Sequence, residues 1–91
     1  MPVLWTFGGI NICIFPHDHT PPHLHIRGNQ IRAKINIEDY RIEEDIGKLS
    51  PKMKKVIKDW VSQERDSLMT CWEQAQLGEP IIFESKGGNL K

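Results

Sequence analysis

All four histidines of this 91-residue chain fall within nine residues, His17-Asp18-His19-Thr20-Pro21-Pro22-His23-Leu24-His25. Imidazole changes charge near neutral pH, and its neutral form is the commonest metal ligand in proteins. His23 and His25 are two residues apart, so on a strand they present two rings from one face, about 7 Å apart. Fixed φ at Pro21 and Pro22 limits the bend before them and returns His19 toward that strand as a third ligand. Asp18 then serves as an orienting carboxylate. Three histidines with an open position is the donor set of a catalytic zinc site, able to activate water. Without a metal, the same groups can exchange protons with a bound phosphate ester.

Other side chains extend this chemistry. Arg27, Arg32 and Lys34 share the polar face with His23 and His25 if the two strands pair as a hairpin, which suits RNA or another phosphate-bearing ligand. Glu64 falls near the middle of an apolar helical stripe, where a carboxylate is rarely buried without a partner. One alternative is a helix break that turns Glu64 outward. The other is a polar pocket in which it meets the histidines or Arg65.

The elements that must position these groups are legible from periodicity. Ile10, Ile12 and Ile14 alternate with Asn11, Cys13 and Phe15, a strand with one apolar face. Leu24 and Ile26 continue the alternation. Gly28-Asn29 supplies a turn, and Ile31, Ala33, Ile35 and Ile37 form the clearest strand of the chain. Glu38-Asp39-Tyr40 reads as a second turn before a short strand around Arg41-Glu43. Ser50-Pro51 is a helix start, an N-cap followed by proline. Apolar residues then recur at Met53, Val56, Ile57, Trp60, Val61, Leu68, Cys71, Trp72 and Ala75, up to the stop at Gly78 and Pro80. A helix over 51–77 would run about 40 Å, long for so small a sheet, so a break near Ser62-Gln63-Glu64 is expected. Trp60 and Trp72 are read as core. The fold expected is α+β: an antiparallel sheet of three or four strands covered on one face by a long or split C-terminal helix. It forms a single domain over residues 1–82, with 83–91 as a flexible tail; Ile81-Ile82-Phe83 docks as an extended segment.

Composition narrows the setting. Lys plus Arg and Asp plus Glu balance at 12 each, so no net field draws the chain to nucleic acid or membrane. No window approaches the ~20 apolar residues of a membrane span, and no signal peptide is visible. Cys13 and Cys71, far apart and outside any CxxC pattern, fit a reduced pair in the cytoplasm.

The chain resembles a family of small bacterial proteins known as a domain of unknown function, number four-one-six-zero. The resemblance rests on Met1-Pro2, Phe7, Gly9-Ile10-x-Ile12, Asp18-His19-x-Pro21-Pro22-His23-x-His25, Trp60, Arg65, Leu68, Trp72, Ala75 and Gly78-Glu79-Pro80. It covers roughly residues 1 to 82, and the Asp-His-x-Pro-Pro-His-x-His run is its distinctive part. It implies no established activity. It does imply an association with neighbouring small genes, including toxin–antitoxin-like pairs. His17 is additional to the family's histidines, Arg27 stands where relatives are often acidic, and Glu64 stands where they often carry histidine. The functions expected are therefore an interaction module of a two-gene system, with a small protein partner, or a hydrolase or nuclease centred on His19, His23 and His25.

Overall fold

The computed structural model describes residues 3–84. Five strands, β1 (Val3–Phe7), β2 (Ile10–Cys13), β3 (His23–Gly28), β4 (Ile31–Asn36) and β5 (Ile42–Ile46), precede two helices, α1 (Pro51–Gln63) and α2 (Arg65–Gln76). The strands form one antiparallel sheet in sequential order, each pairing with the next. The fold is α+β as expected, with five strands rather than three or four. No helix among the described residues is long and apolar enough to cross a membrane.

The additional strand is β1. Val3-Leu4-Trp5-Thr6-Phe7 does not alternate cleanly, because both its end residues, Val3 and Phe7, remain exposed. Gly8 and Gly9 form the two-residue β1–β2 turn with φ of 57° and 82°. Positive φ at both central positions is what a tight hairpin of this twist demands. The β3–β4 turn differs from expectation in detail. Gln30 carries the positive φ of 61°, whereas Gly28 lies within β3. A side chain at Gly28 would meet Ile10 Cγ2 at 2.9 Å, so the glycine permits close approach of β2.

One face of the sheet builds the core. Ile10, Ile12, Leu24, Ile26, Ala33 and Ile35 pack against Ile57, Trp60, Val61, Leu68, Cys71 and Trp72 from the helices. Trp5 stacks on Trp60 with ring centroids 4.5 Å apart, and Phe83 packs on the same indole at 5.6 Å. The extended segment after α2 is thus docked through Phe83, and Ile82 N–H donates to Gln74 Oε1. The remainder of the expected tail, residues 85–91, lies outside the described residues.

Ser50 caps α1 by accepting the Met53 N–H at 3.1 Å. The expected break falls at Glu64, with φ −103° and ψ 16°. The helical ladder nevertheless spans it: Glu64 N–H donates to Trp60 O and Leu68 N–H to Glu64 O. The path bends without losing phase, and Glu64 remains fully buried instead of turning outward.

Glu44 ties the sheet edge to α1. Its carboxylate accepts the Leu49 N–H at 2.7 Å, and Lys54 Nζ lies 3.6 Å away. The Leu49 hydrogen bond, helped by the nearby lysines, holds the carboxyl below its ordinary value of 4.5. A carboxyl depressed by folding contributes stability above its unfolded pKa and loses it as pH falls through the folded value. The stability difference between the parent and Glu44→Gln, measured by urea unfolding, should be present at pH 7 and shrink below about pH 4.5. A pH-independent difference would contradict this. Trp60→Ala should cost about 3–5 kcal/mol, seen as a lower urea midpoint; an unchanged midpoint would remove Trp60 from the core.

Candidate functional site

The site is built where the β2–β3 loop folds back on the polar face of β3. Ile14 continues the buried register of β2, and Phe15 lays its ring on His25 with centroids 3.9 Å apart. The loop is then pinned to the end of α2. His17 N–H donates to Ala75 O at 3.0 Å, a helix-end carbonyl that also accepts the Gly78 N–H at 3.2 Å, and Gln76 Nε2 donates to Asp18 O. His17 sits at φ 55°, a left-handed turn that reverses the chain just before Asp18. At the far end, Ile37 N–H donates to Pro22 O at 3.0 Å, tying the loop to the end of β4.

This routing turns Asp18 inward and His19 outward. Asp18 Oδ1 accepts the His19 N–H at 3.0 Å. Its Oδ2 stands 2.8 Å from His25 Nε2 and 3.0 Å from His23 Nε2. The His19 side chain is 92% exposed, with Nδ1 3.6 Å from Asp18 Oδ1. The expected three-histidine set is therefore not what converges. Asp18, His23 and His25 each offer a ligand atom within 4.8 Å of the others, and neither His19 nor Glu64 belongs to that group.

The proton positions follow from donor chemistry. Arg27 Nη2 lies 3.3 Å from His25 Nδ1, and a guanidinium can only donate. His25 Nδ1 is therefore the acceptor, and Nε2 carries the proton given to Asp18. Burial foremost, with the positive charges of His23 and Arg27, holds the His25 pKa below its ordinary value despite the aspartate. The neutral ring is consistent with that. His23 Nδ1 lies 2.7 Å from the Pro21 carbonyl, to which it must donate. Its Nε2 then faces the same Oδ2 that His25 already uses. Two lone pairs at 3.0 Å repel, so a proton or a cation belongs between them. Burial pushes the Asp18 carboxyl up, but the His25 and His19 hydrogen bonds and the histidine charges outweigh it, leaving the pKa lowered.

Beside the cluster lies a cleft of about 250 Å³ between the loop and the β4–β5 hairpin. His19, Pro21 and His23 form one wall; Lys34, Arg41 and Glu43 form the other, with Asn36 and Asp39 at its end. His23 belongs to both cleft and cluster.

The expected basic face is only partly present. Arg27 pairs across the strands with Arg32, but its guanidinium lies over the Phe15 ring at 5.5 Å and Arg32 is solvent-exposed. Lys34 faces Glu43 on β5, an acidic neighbour. Arg65 is exposed at the start of α2. Sequence reasoning missed Arg41, Glu43 and Phe15. Phe15 shared the polar register with His25 on the neighbouring strand, which was a usable signal.

Residues 9–73 match the family model described as Domain of unknown function (DUF4160). The chain belongs to this family. The DUF4160 match contains Asp18, His23 and His25 with the helices that back them, and it leaves out β1 and the Ala75 end of α2. No curated protein and no solved structure matches the chain.

The tautomers are directly checkable. At neutral pH, ¹⁵N-resolved imidazole spectra should show His25 protonated on Nε2 and bare on Nδ1. A His25 protonated on Nδ1 would contradict the Arg27 hydrogen bond. In Asp18→Ala the orphaned imidazole donors should cost about 1–3 kcal/mol of stability.

Proposed function

We propose that the chain is a recognition module, one half of a toxin–antitoxin-like two-gene pair, and that it binds its protein partner in the cleft beside the histidine loop. The observation that carries this reading is the lining of the cleft. Lys34, Arg41 and Glu43 converge there, and among the described residues none of them makes an ion pair. Charged groups held near one another without closing an ion pair are ready to pair across an interface, where complementary charge sets register and suppresses wrong partners.

The sign balance supports protein over RNA. Lys34 and Arg41 are offset by Asp39 and Glu43, so the cleft does not present the concentrated positive field that a phosphate backbone needs. The histidine arrangement also supports binding over acid–base hydrolysis. Both ring nitrogens of His23 and of His25 face partners inside the fold, so neither ring turns a nitrogen toward a bound substrate. The hydrolase alternative needs His19 to join them, and His19 points to solvent.

Two outcomes follow for the chain co-expressed with the product of the adjacent small gene. The two proteins should co-purify, and the double variant Lys34→Glu/Arg41→Glu should weaken the complex by at least about tenfold, each close charge pair being worth about 1.5 kcal/mol or more. Its thermal unfolding should stay near that of the parent. Undiminished affinity in the double variant would place the interface elsewhere.

A further inference from the structure

We infer that Asp18, His23 and His25 form a binding site for one divalent transition-metal ion, with Arg27 as a built-in brake on its affinity. The inference is separate from the identity of any partner in the cleft.

The first support is spacing. Tetrahedral zinc bound at ~2.0–2.2 Å by nitrogen and oxygen places neighbouring donors about 3.3–3.6 Å apart. The two histidine–aspartate separations, 2.8 and 3.0 Å, fall a little short of that spacing, and all three donor atoms lie within 4.8 Å of one another, so outward shifts of a few tenths of an ångström at the aspartate admit an ion. The donor set of two imidazoles and one carboxylate is that of zinc, iron or nickel, and not of magnesium or calcium. The second support is the contact between His23 Nε2 and Asp18 Oδ2, which requires positive charge between the two atoms. A metal ion meets that requirement as a proton does. The third is orientation. His23 already donates Nδ1–H to the Pro21 carbonyl at 2.7 Å, the outer hydrogen bond that fixes a ring ligating through Nε2.

His25 shows where the site is opposed. Ligation through Nε2 moves its proton to Nδ1, and any proton between His23 and Asp18 is released to solvent. The relocated Nδ1–H then faces the Arg27 guanidinium, which has no acceptor to offer. Arg27 also brings a positive charge toward the ion, and its own Nη1 is buried without a hydrogen-bond partner. A side chain with an acceptor oxygen at this position would orient His25 for ligation and remove the repulsion. Arg27 is thus a positioning residue for the apo arrangement and a determinant of metal affinity.

The test is zinc titration by calorimetry on the full chain, purified without an affinity tag and stripped with chelator. One Zn²⁺ per chain should bind. Asp18→Asn and His23→Ala should each lose about a hundredfold or more, beyond what loss of an outer-shell group costs. Arg27→Gln should bind about tenfold tighter, a gain that misfolding cannot produce. His19→Ala should stay within about twofold of the parent, well under the cost of even an outer-shell change. No stoichiometric zinc in the parent, or an Arg27→Gln affinity equal to or below it, overturns the proposal. A large loss in His19→Ala overturns the ligand set.

Discussion

One carboxylate oxygen, Asp18 Oδ2, lies within 3.0 Å of two imidazole nitrogens, and the polar half of the molecule is arranged around it. The contact converts a loop into a fixed wall. Backbone bonds from α2 and β4 hold the two ends of residues 17–22, while Asp18 holds the middle to β3. Without that anchor, the loop wall of the cleft would lose its side-chain tie to β3. The small domain thereby gains a second ordered surface, built by the loop between β3 and the end of α2, without a second core.

That surface is not the solvated polar face that an antiparallel sheet usually presents. His23 and His25 are each only 9% exposed, with the Phe15 ring stacked on His25 and the Trp72 ring tilted against His23. Burying two imidazoles and an acid is tolerable because nearly every ring nitrogen and carboxylate oxygen has a partner. The one contact that lacks a fixed donor, between His23 Nε2 and Asp18, is where chemistry can enter. A proton keeps the cluster closed as a structural anchor; a metal ion makes it a ligand site. In either state the cleft keeps its shape, since its walls are strands and a pinned loop.

Much of the scaffold was legible because it is local. The alternation Ile31, Ala33, Ile35, Ile37 dictates a strand whatever its neighbours, and Ser50-Pro51 starts a helix by its own capping bond. The excess length of the helical pattern foretold the break at Glu64. The direction of Glu64 was not legible, because a helix can break and still keep its hydrogen-bond phase, as the bonds on both sides of Glu64 show. β1 escaped notice because an edge strand with exposed ends has no clean period. The cluster was half legible. His23 and His25 share a face by strand geometry alone, but the choice of Asp18 over His19 is made by contacts with Ala75 and Gln76, 58 positions away in both cases. Adjacent residues of an irregular loop point apart, and only the distant helix end decides which one turns in.

The central claim, that Asp18 fixes the loop and with it the cleft, is tested most directly by native-state hydrogen exchange of Asp18→Ala against the parent. Two amides report on it: His19 N–H, bonded to the Asp18 carboxylate, and Ile37 N–H, bonded to Pro22 O. The account predicts that both lose protection in the variant while amides pairing the core strands β3 and β4 keep theirs. Unchanged protection at Ile37 would mean that the loop holds its place without the carboxylate, and would contradict the account.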